Sequence, residues 1–509
     1  MRKFFKTVAV VTFFSVCEKF LGFLYRIYLS RTIGAEGVGI YQVALSVFAF
    51  LLTVICSGTP ITVSRLISKY RSENAHEKVQ KIISSALVLT FALSVIVVAA
   101  CFILGDGISF LFADERCKSI FFIVLPGLIF NSVYAVLRGV FWGNKDFTPY
   151  SVIELLEEIT MIIVGIILVT AAGTVTEGAI SAGTAVLVSY ILSFTLASIV
   201  FFVRKNRLKN PLPEMKTVLF SSAPVTAMRT VNSLAVSLIS VILPLRLVSA
   251  GYTEAQSMSL FGAAAGQAIP LLFVPSTLIG SFTLVLIPEI SENFYRKNDF
   301  AMRNDVERAL KFTAIVSCVF IPLFTVCGEE IGILIFDSYE CGKYLTASAF
   351  LVPFMGLSGI TTSILNSIGC EVRTLTYCIV SGVFMLLSIW FLPQFTGIYS
   401  LLIGFSFVYV LTTVLNIRLI YKKCAVKPVF MKYFSEVFLV TLPPIALGLI
   451  FERFTLKIVG TFLCFLITAA IVCIFYAILC VCTGLFSAEI IKSKLKFKFK
   501  KKKVKVKAV

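Results

Sequence analysis

Apolar runs of roughly twenty residues recur along the whole chain, separated by short stretches that collect its charges, prolines and glycines. At about 1.5 Å of rise per residue, each run matches the roughly 30 Å hydrocarbon layer of a bilayer. Two-residue alternation is missing, so the runs predict membrane-crossing helices and not barrel strands. Fourteen are predicted, at 7–29, 38–60, 82–104, 119–141, 150–172, 178–203, 218–245, 258–288, 309–336, 345–369, 374–392, 397–420, 433–451 and 458–486.

The punctuation of the first half returns about 226 residues later. Pro60 answers to Pro288, Pro126 to Pro353 and Gly143 to Gly369, and GDGISFLF to GEEIGILIF. The pattern predicts an all-α polytopic membrane protein of about 14 helices. Two six-helix bundles, 1–217 and 218–432, enter the membrane with the same orientation as parallel repeats around a central cavity, an architecture typical of transporters. Two additional helices over 433–486 and a polybasic tail at 487–509 lie outside the repeat.

Composition agrees: 58% of the 509 residues are hydrophobic and only 14% charged, with mean hydropathy +0.96, too apolar for a soluble core. The net charge of +19 is explained by orientation. A cytoplasmic N-terminus puts 36 of the 46 Lys and Arg on the cytoplasmic side while the acids divide evenly, as positive-inside topology requires. Both termini are then cytoplasmic, and nucleic acid is not an expected partner. MRKFFK and the run after it lack a small-residue cleavage site, so they read as a retained first helix. The final KSKLKFKFKKKKVKVKAV can hold anionic lipid at about 1 kcal/mol per charge, or simply enforce topology. Most of the fourteen cysteines lie in apolar runs, no CxxC occurs and His76 is the sole histidine, so no metal or cofactor is expected. Cys327 and Cys341 share one predicted external loop, where they could pair.

The candidate chemistry is the charge inside the spans. In EKFLGFLYR, residues 18–26, Lys19 falls near mid-membrane, where an uncompensated charge costs about 2.5 to 3.5 kcal/mol. Lys19 and Arg26 are two turns apart on one helix face, with Gly22 between them leaving that face open. Two stacked cations suit a diphosphate. Alternatively Glu18 and a neighbouring helix neutralise Lys19, while Arg26 snorkels to the interface. In the fifth span Glu154, Glu157 and Glu158 share a face at i, i+3 and i+4. They can share protons, bind Na⁺, or pair with Lys19 or Arg229. Arg229 and Asn232 line the second bundle's cavity in the seventh span, and Gln267 is a further cavity candidate near Pro270 and Pro275.

Three stretches carry a resemblance: EKFLGFLYRIYLSRTIGAEGVGIYQ at 18–42, RGVFWGNKDFTPYSVIELLEEI at 138–159, and LPLRLVSAG at 243–251 followed by LFGAAAGQAIPLL and LIPEISE. They are similar to the polysaccharide-transport branch of the multidrug/oligosaccharidyl-lipid/polysaccharide flippase superfamily, and most to its stage V sporulation protein B group, with lipid II flippases as relatives. The resemblance spans roughly residues 1–430. It implies a fourteen-helix, two-bundle transporter of the bacterial plasma membrane, monomeric and not an enzyme. Such a protein would move a polyprenyl-diphosphate-linked saccharide, a cell-wall or polysaccharide precursor, from the cytoplasmic to the outer leaflet by alternating access. The cavity arginines of lipid II flippases have no counterpart in FLLTVICSG or AAAGQAIPLLF. Coupling to H⁺, Na⁺ or the membrane potential is the expected energy source. A cation-coupled multidrug exporter is the alternative, which the glutamates would serve better than Lys19 and Arg26. A membrane-embedded glycosyltransferase ranks below both, for want of an external catalytic site.

Overall fold

The structure is a computed structural model that describes residues 2–204, 208–424, 430–455 and 461–485. The Lys-rich tail and its expected lipid contact therefore lie outside the described residues. Every element among those residues is helical. In chain order they are α1 Arg2–Cys56, α2 Thr59–Ser72, α3 His76–Leu104, α4 Glu115–Val124, α5 Gly127–Gly143, α6 Phe147–Thr170 and α7 Val175–Val203. Next come α8 Met215–Ser249, α9 Glu254–Phe261, a π-helical turn Gly262–Ala268, α10 Ile269–Leu272, α11 Val274–Tyr295, α12 Asp299–Cys318 and α13 Phe320–Phe336. The last are α14 Tyr339–Ser348, α15 Val352–Ser367, α16 Glu371–Phe391, α17 Pro393–Thr396, α18 Tyr399–Lys423, α19 Phe430–Leu439, α20 Leu442–Thr455 and α21 Thr461–Cys482.

Eleven or twelve helices among the described residues are long and apolar enough to cross a membrane, the twelfth being the bent pair α4 and α5. The first of these, Phe13–Ser72, holds two of the fourteen predicted spans. The loop expected between them is a single residue, Gly34, whose φ of 68° breaks α1 without interrupting its run; only glycine reaches that conformation without strain. α6 matches the spans in length but carries three glutamates. With α1 divided at Gly34 and α6 admitted, the helices are compatible with fourteen. Outward side chains such as Val95, Ile96, Ile103, Ile167 and Ile199 are exposed and apolar, whereas Ser84, Ser85, Ser94, Ser189 and Ser193 are buried. Apolar exteriors with small hydroxyls at the helix contacts are how helices pack in lipid. The protein is a multi-pass membrane protein.

The chain forms two compact units. The first comprises 1–269 with 335–341 and 382–404. One part of its core joins α2, α3, α5 and α7 through Val63, Ile67, Ile82, Ile83, Val140 and Phe201. Arg116 ties α4 to α1 through Glu36 at 2.8 Å, and its backbone N–H is capped by Asp114. α1 runs alongside α6: Gly22 meets Glu158, Tyr25 crosses Gly165, and the Tyr28 hydroxyl meets that of Thr170 at 2.8 Å. The contacts rise together in both helices, so the two run in the same direction. Beyond Gly34, α1 packs backbone to backbone on α9 and the π turn, with Gly39 against Met258 and Gly262 against Ala35.

The second unit comprises 270–334, 342–381 and 405–509. Its core is aliphatic, with Ile279 and Ile290 of α11, Val306 and Leu310 of α12, Ile360 and Ile364 of α15, and Ile417 and Ile420 of α18. Asn416 bridges α18 to α15 through the hydroxyls of Thr361 at 3.1 Å and Thr362 at 2.9 Å. The terminal α21 docks on α12, where the Tyr476 hydroxyl donates to the Ile315 carbonyl at 3.1 Å. Cys327 of this unit and Cys341 of the first are each buried free thiols.

Candidate functional site

The charges of the first unit converge on α1, α5, α6 and α7. Lys19 is exposed along α1 and has no ion pair or hydrogen bond among the described residues. Seven residues on, Arg26 is half-buried and donates from Nη1 to the Gly266 carbonyl at 3.2 Å. Gly266 belongs to the π turn, a form that recurs at functional sites in membrane and soluble helices alike. The next residue, Gln267, is fully buried; its Nε2 donates to the Ser30 hydroxyl at 2.7 Å, and Ser30 donates to the Phe336 carbonyl at 3.0 Å. Arg26 and Gln267 are thus brought to the same turn, and the Gln267 Oε1 remains buried without a partner.

Gly22 does not leave an opening. A Cβ placed there would stand 2.7 Å from Oε1 of Glu158, so the carboxylate occupies the space that the glycine vacates. Helix geometry explains the difference from its neighbours. At 100° per residue, Lys19 and Arg26 project about 20° apart, while Gly22 turns about 60° away from Lys19 toward α6.

The three glutamates of α6 separate in the same way. Positions i, i+3 and i+4 span about 100° of a helix, wide enough to address three neighbours. Glu154 pairs with Arg138 of α5 at 3.2 Å. Glu157 lies against Ser193 of α7, with Oε2 buried and unpartnered. Glu158 fills the gap beside Gly22 and lies within electrostatic reach of Glu18. Neither Lys19 nor Arg229 pairs with them. Arg229 is exposed on α8 and donates to the Ser57 carbonyl at 3.4 Å, at the junction of α1 and α2. Asn232 is on α8, but its side chain lies outside the described residues.

Arg138 joins this cluster and is not singled out in the sequence analysis. It sits near one end of the predicted span 119–141, where a charge reads as part of the adjoining loop. Its guanidinium lies 5.4 Å from the Trp142 ring while it holds Glu154. The available signal was local: Arg138 and Trp142 are four apart, one helical turn, the spacing at which a cation reaches an aromatic face.

The arrangement offers a free ammonium, a guanidinium held by one edge, and carboxylates spread behind them. Among the described residues no cluster of His, Cys, Asp or Glu is arranged to hold a metal.

Known proteins place this architecture. Stage V sporulation protein B of Bacillus subtilis (strain 168) is 23% identical over 361 residues, covering 68% of this chain and 69% of that protein. The lipid II flippase MurJ of the same organism is 23% identical over 348 residues, 61% of each chain. A solved lipid II flippase MurJ in an inward closed conformation matches 95% of this chain and all of its own, with a TM-score of 0.72 at 18% identity. An inward-facing multidrug resistance transporter of the MATE family matches 79% of this chain and 92% of its own, with a TM-score of 0.65 at 14% identity. At these identities the solved structures carry the fold, an all-α transporter fold. The relatives named by activity, a lipid II flippase and a multidrug resistance transporter, are transport proteins and not enzymes. The model of the polysaccharide biosynthesis protein family matches residues 4–294, more than half of the sequence, and the chain belongs to that family.

Proposed function

We propose that the protein is a flippase that carries a saccharide linked to a polyprenyl diphosphate from the cytoplasmic to the outer leaflet. The observation that carries this reading is Lys19, a mid-helix ammonium with no partner among the described residues. In lipid such a charge is costly, so it belongs to a watered space into which an anionic head group can come. Arg26, on the same face about 10 Å along the axis, uses one nitrogen on Gly266 and keeps further N–H groups for a second phosphate oxygen. The saccharide would follow the diphosphate through the protein while the polyprenyl tail stays in the bilayer. The two repeats would rock to expose the site on alternate sides, with both termini cytoplasmic. Differential binding to the two states drives such a cycle. The membrane potential, worth about 2.3 kcal/mol per charge at 100 mV, would bias a cationic site. The relatives named for lipid II and for sporulation support the substrate class, while the saccharide itself is open to experiment.

A second reading, a cation-coupled exporter, is favoured by the acids Glu157 and Glu158 and by the likeness to MATE transporters. Purified protein in liposomes separates them. Protein-dependent movement of labelled polyprenyl-diphosphate saccharides, without uptake of organic cations, supports the flippase. Cation transport without lipid movement overturns it.

A further inference from the structure

Away from α1, the first unit holds an apolar groove of about 370 Å³ between α3, α5 and α7. Val88 and Phe91 of α3, Val133 and Leu137 of α5, and Phe202 of α7 form its walls, together with Leu208 from the segment after α7. Among the described residues that line it, Ser198 alone is polar. Val88, Phe91, Phe202 and Leu208 are exposed, so the groove opens outward between helices that face hydrocarbon. A ligand from water would find a single hydroxyl there to bond to, which makes the groove a place for an apolar chain.

One end of the groove is charged. The segment 208–211 straps onto α3, where the Lys209 N–H donates to the Ser84 hydroxyl at 2.9 Å and the Ser85 hydroxyl donates to the Pro211 carbonyl. The strap brings Leu208 to the groove and the Lys209 ammonium to Glu77 at 3.5 Å. Lys81 reaches the same carboxylate at 3.1 Å. One carboxylate thus answers two ammoniums, and the trio keeps a net positive charge. Lys78 and Arg204, at the same ends of α3 and α7, add none, because Glu214 holds the first at 3.8 Å and Asp146 the second at 2.8 Å. Lys81 and Val88 are seven residues apart, so they share a face of α3 with Lys81 about 10 Å nearer the helix start. A positive end that gives way to an apolar trough over that distance matches an amphiphile with a negative head.

We propose that this groove binds one phospholipid with an anionic head group, its phosphate at Lys81 and Lys209 and an acyl chain along α3, α5 and α7. The net cation selects an anionic head over a zwitterionic one. Positive-inside topology puts the site in the cytoplasmic leaflet. The cations assigned to the cargo's diphosphate lie on α1, which contributes no wall to this groove, so the bound lipid is distinct from the cargo.

The experiment is native mass spectrometry of the full chain released from nanodiscs of equal phosphatidylglycerol and phosphatidylcholine, which reports how many lipids of each kind stay bound. One net cation beside a phosphate is worth about fivefold, so the preference for phosphatidylglycerol in the last retained lipid should fall by roughly that factor or more in Lys81→Gln with Lys209→Gln. Ser198→Phe, which fills the groove, should remove one retained lipid. Should Ser198→Phe not fold, the two lysines, which lie outside the apolar walls, decide alone. A preference unchanged by the lysine pair overturns the proposal, as does a lipid count unchanged by Ser198→Phe. Displacement of the retained lipid by an equal amount of polyprenyl phosphate would give the groove to the cargo's tail and also overturn it. No lipid-linked saccharide is present, so these outcomes are separate from success or failure of the flippase reading.

Discussion

The two units differ in which polar groups they hold. In the first, α1, α5 and α6 carry charges whose bonding is incomplete: exposed Lys19 has no partner among the described residues, Glu157 has an idle oxygen, and Arg138 has an unused Nε beside its bridge to Glu154. In the second, α11, α12, α15 and α18 pack as an aliphatic core, where Asn416 donates to Thr361 and Thr362 while its Oδ1 stays unpartnered, and Asn293 donates to Asp305 at 2.8 Å. The one buried glutamate of that unit, Glu330, stands beside Glu452 of α20, outside that core. Incomplete bonding of a charge costs stability and persists where a ligand or proton completes it. We read the first unit, where Lys19, Glu157 and Arg138 together are incompletely bonded, as the working half, and the aliphatic core of the second as its scaffold.

Substitutions that break this contrast should differ in size. The largest loss is expected at Gly262→Ala, whose Cβ would collide with the Ala35 carbonyl, a backbone atom that cannot swing aside. About 3 kcal/mol or more is expected, read as a lowered thermal midpoint in detergent. Arg138→Leu comes next, because it leaves Glu154 without its cation. A fully buried pair would cost about 3 to 5 kcal/mol, and the Arg138 side chain keeps part of its surface exposed, so about 2 kcal/mol is expected. The double variant Arg138→Leu, Glu154→Leu should recover much of it, and failure to recover would deny that the pair is the cause.

In the second unit Asn416→Leu removes two bridging hydrogen bonds and should cost about 1 kcal/mol of stability with transport unchanged. Transport that falls with it would mean the scaffold assignment is mistaken. The smallest effect on stability belongs to Lys19→Ala, within about 0.5 kcal/mol, because the exposed side chain makes no ion pair or hydrogen bond among the described residues.

The hydrophobic pattern was enough to read the helices, because a span is a local property of some twenty residues. It also marked Lys19, Arg26 and the α6 glutamates, since charge in an apolar run is visible without any contact. Pairing was not visible. Glu154 finds Arg138 across a helix hairpin, and Gly22 finds Glu158 across 136 positions, although both residues had been flagged for other roles. Helical periodicity says which residues share a face, not which neighbour that face meets, and a face 100° wide meets three. Gly34 escaped for the converse reason: a single φ of 68° does the work assigned to a loop of eight residues.

The central claim is that Lys19 and Arg26 are kept for the cargo and not for the fold. It is tested most directly by flipping of labelled polyprenyl-diphosphate saccharide in liposomes, comparing wild type with Lys19→Ala and Arg26→Ala at matched reconstitution. Loss of a charge-assisted phosphate contact of about 1.5 to 3 kcal/mol predicts a rate lowered roughly tenfold or more at limiting substrate, with the Lys19→Ala protein as stable as wild type. Undiminished flipping by both variants would contradict the account.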